Sequence, residues 1–266
     1  MSETTPPPTR DDGLPGRVAV ITGGASGIGL ALAVAYARAG VASVIGYHAG
    51  DPHDPGAAVA RVEAAGGRAV AVAVDVRDPA GTDALVAAAV GEFGRLDIAV
   101  ANAGVLRRAP LSELTDERWD DMLSVDLTGV LRVFRSAAAE IGTGGALVAV
   151  SSIAGGVYGW ADHAHYAAAK AGVLGLVRSL GVELAPRGVR VNAVIPGLIE
   201  TPQSLDAENS LGPDGLRAAG AGIPAGRVGR ADEVARVIRF LTSDDAAYIT
   251  GQHITVDGGL TVRFPD

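Results

Sequence analysis

From residue 17 onward, short apolar runs alternate with longer Ala-rich stretches of helical period, and this alternation leaves few folds open to the chain. Each strand, crossover helix and next strand form one parallel unit, and repeated units build a sheet with helices on both faces. The first strand is read at residues 17–21 (RVAVI), ahead of a Gly-rich segment at 22–29. A helix follows at 28–39, with Gly40 placed to cap its C-terminus. Residues 41–46 read as the second strand, 55–65 as a helix, 68–74 as the third strand, 79–93 as a helix and 96–101 as the fourth strand. Pro79 opens its helix at an allowed first-turn position.

The pattern then repeats. Residues 115–140 read as one long helix capped by Thr115, with acidic residues in its first turn. A strand at 146–150, a helix at 162–185 stopped by Pro186, a strand at 189–195, a helix at 231–241 and a strand at 253–256 complete the order. The count is about seven strands, and runs such as AVAV and ALVAV lack the polar alternation of a half-exposed sheet. The expected architecture is a single doubly wound parallel sheet.

Composition narrows the partners. Of 266 residues, 48% are hydrophobic and only 4% aromatic, so small side chains fill the core. The formal net charge is -8, without a run of Lys or Arg, which disfavours nucleic acid. No apolar stretch approaches the roughly 18 residues of a spanning helix, so no membrane partner is expected. Cysteine is absent, which removes disulfides and thiolate chemistry. Residues 1–15 are polar and Pro-rich without an apolar signal core, and are read as a disordered arm ahead of a domain at 16–266. Cytoplasmic location is the default expectation. Residues 197–226, rich in Gly, Pro, Asp and Ser, leave the sheet at a strand's carboxyl end. Ligands bind such sheets there, so the segment reads as a substrate lid, with a plain surface excursion as the alternative.

The Gly-rich segment Thr22-Gly23-Gly24-Ala25-Ser26-Gly27-Ile28-Gly29 lies between the first strand and the first helix. Glycines there let backbone N–H groups approach a pyrophosphate at the helix N-terminus. The spacing is GxxxGxG, and its position points to a dinucleotide and a Rossmann fold. At the end of the second strand stand Tyr47 and His48, with no acid until Asp51. A carboxylate there would hold a ribose 2′-OH and repel a 2′-phosphate. Its absence favours NADP(H), with Ser26 and His48 as donors to the phosphate; NAD(H) is the alternative, through Asp51 or Asp54.

Tyr166 and Lys170 are spaced i, i+4 and share one face of a helix. A phenol titrates near 10 in water, and a neighbouring ammonium draws that value down. Carbonyl reduction needs such a proton donor for the forming alkoxide. Ser152, at the end of the strand ALVAVSS, can hold the substrate oxygen, with Ser151 as the neighbouring candidate. Tyr158 and Trp160 precede Tyr166 and are read as substrate-pocket walls or as packing residues. His163 and His165 are i, i+2 and point apart on a helix, and no His spacing fits a metal.

TGGASGIG, Asp75-Val76, Asn102-Ala103-Gly104, Ser152, Tyr166-Ala167-Ala168-Ala169-Lys170 and Pro196-Gly197-Leu198-Ile199-Glu200-Thr201 occur in this order. The chain thereby resembles the short-chain dehydrogenase/reductase family, and its 3-oxoacyl-carrier-protein-reductase-like members, from about residue 17 to 262. The resemblance implies that Asp75 and Val76 hold the adenine and that Asn102, Ala103 and Gly104 floor the cofactor site. It further implies that Pro196, Gly197, Ile199 and Thr201 meet the nicotinamide, that Lys170 also holds its ribose, and that the protein is a homotetramer or homodimer. Two departures stand out. The Ser152-to-Tyr166 spacing is 14 residues, one longer than usual, and Asp126 stands where the family usually has a relay Asn. The expected function is NAD(P)(H)-linked hydride transfer between the cofactor and a small ketone or secondary alcohol, foremost NADPH-dependent reduction. NAD-linked oxidation of an alcohol or sugar and a non-catalytic dinucleotide sensor are the alternatives.

Overall fold

The computed structural model describes residues 12–263. Seven parallel strands form one sheet in the order β3-β2-β1-β4-β5-β6-β9. They are β1 Val18–Thr22, β2 Ala42–Tyr47, β3 Ala69–Ala73, β4 Ile98–Ala101, β5 Ala146–Val150, β6 Arg190–Pro196 and β9 His253–Val256. The strand order reverses between β1 and β4, where a crevice opens at the carboxyl ends of the strands. Alternate residues of β1 feed two cores: Val18 and Val20 join one cluster, Ala19 and Ile21 the other. The strand is therefore buried on both faces, as its unbroken apolar run requires.

The helices are α1 Gly27–Arg38, α2 Pro55–Ala64, α3 Pro79–Phe93, α4 Asp116–Asp126, α5 Thr128–Glu140, α6 Ile153–Gly156, α7 Ala164–Leu184, α8 Pro202–Leu205, α9 Gly212–Gly220 and α10 Ala231–Thr242. Residues of α1, α2 and α10 pack one face of the sheet and those of α3, α5 and α7 the other. Asp54 and Asp78 cap α2 and α3, each accepting backbone N–H groups ahead of a first-turn proline.

Three expectations need correction. The single helix read over residues 115–140 is two, broken at Leu127 (φ -126°, ψ -58°). The break falls where Asp126 turns inward and Leu127 packs on Gly172 of α7, so tertiary contact overrides a continuous helical pattern. The disordered arm was read as far as residue 15, yet Leu14 is fully buried in the α1–α10 core. Asp12 pairs with Arg239 of α10, and its carbonyl accepts from the Asp244 N–H. The remainder of that arm, residues 1–11, lies outside the described residues. The third correction concerns the irregular segment at 197–226. It carries α8, α9 and a strand β7 (Ile199–Glu200) that pairs in parallel with β8 (Gly229–Arg230). Thr201 caps α8 reciprocally with Ser204, which pins the segment where it leaves β6.

Candidate active site

The turn from β1 to α1 is built around two left-handed glycines, Gly23 and Gly27 (φ +63° and +51°). Asn102, at the end of β4, donates its side-chain N–H groups to the carbonyls of Thr22 and Gly23, both at 3.0 Å. The Thr22 hydroxyl accepts from the N–H groups of Asn102 and Ala103, each at 3.1 Å. A β-carbon on Gly29 would fall 2.3 Å from the Gly23 carbonyl oxygen. Thr22 and Gly29, expected among the cofactor contacts, thus brace the turn from behind and do not line the cavity in front of it.

That cavity has a volume of about 830 Å³ and runs along the carboxyl ends of the strands. Gly23, Ser26, Gly27 and Ile28 form its wall at the N-terminus of α1. Tyr47, His48, Asp75 and Val76 line it beyond β2 and β3, and Asn102, Ala103 and Gly104 beyond β4. Ser152, Tyr158, Trp160, Tyr166 and Lys170 line it beyond β5 and along α7. Pro196, Gly197, Ile199 and Thr201 close it from the side where the chain leaves β6. The sequence therefore placed nearly all of its site residues on one surface.

At the β2 end, His48 Nδ1 accepts from the Gly50 N–H at 3.1 Å, and Nε2 lies 3.9 Å from an Asp75 carboxylate oxygen. Asp51 lines the cavity but is engaged by the ring and N–H of His53. Asp54 is committed to capping α2. Arg77, which the motifs did not single out, also lines the cavity. It holds Asp75 through Nε (3.0 Å) and Nη2 (2.8 Å), which keeps the Asp75 carboxyl below its ordinary range.

At the other end, the Lys170 ammonium lies 3.1 Å from Asp126 Oδ2 and donates to the Val150 carbonyl at 3.2 Å. Asp126 Oδ1 accepts from the Val105 N–H at 2.8 Å. Asp126 sits behind the ammonium and does not itself line the cavity. Burial pushes its carboxyl up against the pull of Lys170. Burial also opposes the Lys170 charge, but Asp126 and Tyr166 together outweigh it, and the pKa of the ammonium moves up.

The i, i+4 pair predicted a lowered Tyr166, and the net effect is the reverse. Burial raises the phenol above its ordinary value; Lys170 and the Ser152 hydroxyl pull it down, while the Asp126 charge adds to the rise. The two serines separate cleanly. Ser151 is buried and donates to the Lys170 carbonyl at 2.8 Å, whereas Ser152 sits beside Tyr166 and caps α6 through the Ala154 N–H. A β-carbon on Gly155 would fall 2.5 Å from the Ala171 nitrogen, so α6 lies directly on α7.

The fold and this cavity define a doubly wound α/β protein with its ligand crevice at the strand-order reversal. The family model described as enoyl-(acyl carrier protein) reductase matches residues 23–261. A 3-oxoacyl-[acyl-carrier-protein] reductase FabG of Thermotoga maritima is 39% identical, over 94% of this chain and 99% of its own length. The cis-4-hydroxycyclohexanecarboxylate dehydrogenase of Sinomonas cyclohexanicum is 45% identical, over 92% of this chain and 96% of its own. Among solved structures, a dehydrogenase/reductase from Sinorhizobium meliloti superposes with a TM-score of 0.86 at 33% identity, covering 92% of this chain and 95% of that one. Levodione reductase superposes at 0.83 with 31% identity, covering 94% and 99%. The chain belongs to the short-chain dehydrogenase/reductase family and is an oxidoreductase acting on the CH–OH/C=O pair.

Proposed function

We propose that the protein reduces a ketone on a compact apolar skeleton with NADPH, Tyr166 serving as the proton donor. The observation that carries this reading is the grouping of Ser152, Tyr166 and Lys170 at one end of a cavity whose other end begins at the α1 N-terminus.

The residues present fit a nicotinamide dinucleotide. Gly23 has a left-handed backbone, and a β-carbon there would crowd Asn102 Nδ2 at 3.0 Å, so glycine lets the braced turn present the N-terminus of α1 to an approaching pyrophosphate. Ser26, Gly27 and Ile28 would hold the pyrophosphate, Asp75 and Val76 the adenine, and Tyr47, His48 and Ser26 the 2′-phosphate. Asn102, Ala103 and Gly104 would floor the site, Lys170 would hold the nicotinamide ribose, and Pro196, Gly197, Ile199 and Thr201 would meet the carboxamide. When bound, the nicotinamide supplies or accepts the hydride.

The chain's own part is orientation and proton transfer. The Ser152 and Tyr166 hydroxyls hold the carbonyl oxygen, and Tyr166 gives up its proton as that oxygen becomes an alkoxide. A phenol whose pKa is raised stays protonated through the neutral range, which suits reduction. Lys170, held charged by Asp126, stabilises the phenolate left behind. Val105, Leu106, Trp160, Leu211 and Leu216 give the substrate end an apolar wall, suited to a cyclic ketone or a 3-oxoacyl chain. The segment at 197–226 acts as its lid, and the protein assembles as a homotetramer or homodimer.

A second reading, NAD-linked oxidation of a secondary alcohol, is favoured by Asp51 on the cavity wall near β2 and by the alcohol-oxidising name of the Sinomonas relative. A dinucleotide sensor without turnover fits poorly with Ser152, Tyr166 and Lys170 all in place. Fluorescence titration with NADPH and NADH, followed by turnover of cyclic ketones and 3-oxoacyl thioesters, tests the proposal. NADPH-dependent turnover that Tyr166→Phe abolishes is the expected result. Preference for NADH with alcohol oxidation supports the second reading, and binding without any turnover supports the sensor.

A further inference from the structure

Three loops meet beside the substrate end of the cavity at Asn209, in the turn between α8 and α9. Its backbone carbonyl faces His163 Nε2 at 3.1 Å. Its side-chain oxygen accepts from the Arg108 N–H at 3.2 Å, and its side-chain nitrogen donates to Asp206 at 2.9 Å. The partners come from the loop before α7, from the β4–α4 connection and from the lid itself. The next two residues, Ser210 and Leu211, line the cavity.

His163 is only 4% exposed, and each of its ring nitrogens faces a backbone carbonyl: Nδ1 lies 2.7 Å from the Ala161 oxygen and Nε2 lies against Asn209. A carbonyl oxygen only accepts, so a ring satisfied on both sides donates from both nitrogens. Only the imidazolium does that. Its ring stacks on Trp160, with centroids 4.0 Å apart and planes at 20°, and an indole face attracts a cation. Trp160 is itself a wall of the cavity. The preceding residue, Asp162, has a left-handed backbone (φ +65°) although it is not a glycine. It is held there by Arg108, which donates to its carboxylate from Nε (2.9 Å) and Nη2 (2.7 Å), and by the Ala109 N–H on its carbonyl (2.8 Å).

We propose that His163 is a positioning residue for the substrate: as a doubly protonated imidazole it clamps the lid to the pocket wall through Asn209 and fixes the plane of Trp160. This rests on reading the segment at 197–226 as a lid and the Trp160 end as the substrate end. The charged and titratable groups around the clamp are Asp162 on its own loop, Arg107 and Arg108 on the β4–α4 connection, Arg118 on α4, His165 on α7, and Asp206 and Glu208 on the lid. Asp162 is committed to Arg108, and Asp206 to the turn N–H groups of Glu208 and Asn209. His165 is driven toward its neutral form by burial first and then by the neighbouring His163. A ring with a single proton would face one of the two carbonyl oxygens with a lone pair. The clamp then opens, and the lid and indole wall lose their fixed position.

The test combines spectroscopy and kinetics. The chain holds two tryptophans, so Trp119→Phe leaves Trp160 as the only indole emitter. In that background, emission rises with pH as the quenching imidazolium is lost, and His163→Gln removes the titration. With NADPH and cyclohexanone as the probe, His163→Gln raises KM about tenfold at acid pH, the loss expected of one charge-assisted hydrogen bond, with kcat within about twofold. The KM of the unaltered enzyme climbs toward the variant's value as the pH rises. Ring-nitrogen chemical shifts of His163 in the unaltered protein need no variant, and two protonated nitrogens at acid pH are expected. A singly protonated ring at acid pH, or an emission titration that survives His163→Gln, overturns the clamp. An emission titration confined to the protein with His163, without turnover of any ketone, supports the clamp and overturns the catalytic reading instead.

Discussion

The Lys170 ammonium and the Asp126 carboxylate form an ion pair 3.1 Å across, buried behind the cavity wall. Burial raises the Tyr166 pKa and Lys170 pulls it down; the Asp126 charge adds to the rise. Asp126→Asn keeps an acceptor for the Val105 N–H and removes that charge. The expected result is an active enzyme whose Tyr166-dependent limb moves to lower pH, read from kcat/KM profiles in both directions. Complete loss of turnover would show that the carboxylate itself is required. Asp126→Ala instead leaves a buried ammonium without its partner, and about 3–5 kcal/mol of stability should go with it, measurable by denaturant unfolding.

Gly29 carries a second expectation. A β-carbon there would sit 2.3 Å from the Gly23 carbonyl oxygen and 2.8 Å from Asn102 Nδ2, so the whole turn has to move to admit it. Gly29→Ala should cost about 1–3 kcal/mol, typical of forced overpacking, and weaken NADPH binding along with stability. Unaltered NADPH affinity in a destabilised variant would separate the brace from the binding surface and count against this coupling.

How much of this was legible in the sequence depended on how local each signal is. The strands at 146–150 and 253–256 and the helix at 79–93 end where their residues predicted, because apolar runs, caps and prolines are encoded within a few positions. The residues lining the candidate site were legible for the same reason, being clustered in short motifs. Three things were not. The break at Leu127 depends on contact with Gly172, which lies 45 residues further on. Leu14 looked like part of a polar arm because its burial is supplied by α10 from the far end of the chain. The contacts of Asn209 come from other loops, and Arg77 joins Asp75 on its own loop to Asp121 on α4; no spacing rule encodes those long-range partners.

Glu233, in the first turn of α10, predicts the acid limb of stability. Two hydrogen bonds from Arg227 (2.8 and 2.6 Å), and then the Arg230 N–H at 2.8 Å, pull its pKa down to about 2. A carboxylate with a depressed folded pKa stabilises the protein above its unfolded value and loses that contribution as the pH falls toward the folded one. The window here runs from about 4.5 down to about 2. The Arg227–Glu233 pair is open to solvent, so screening keeps its contribution small. Glu233→Gln should lower stability slightly at neutral pH and flatten its dependence across this window. Parallel stability curves for the two proteins from neutral pH to the acid limb would assign the acid sensitivity to other carboxylates.

The proposed NADPH preference makes Tyr47, the last residue of β2 and part of the cavity lining, the residue to test. His48 beside it accepts from the Gly50 N–H through Nδ1, which leaves Nε2–H as the donor of the neutral ring. That donor suits a phosphate oxygen, and Tyr47 brings no negative charge to oppose it. Tyr47→Asp places a carboxylate at this point, where it repels a 2′-phosphate and accepts from a 2′-OH. The NADPH dissociation constant should rise about 10- to 100-fold, equivalent to about 1.4–2.7 kcal/mol, while NADH binding holds or tightens. If both cofactors respond equally, Tyr47 does not face the 2′ position. If NADPH is indifferent and NADH was already preferred, Asp51 is the residue that reads the ribose, and alcohol oxidation becomes the better account of the site.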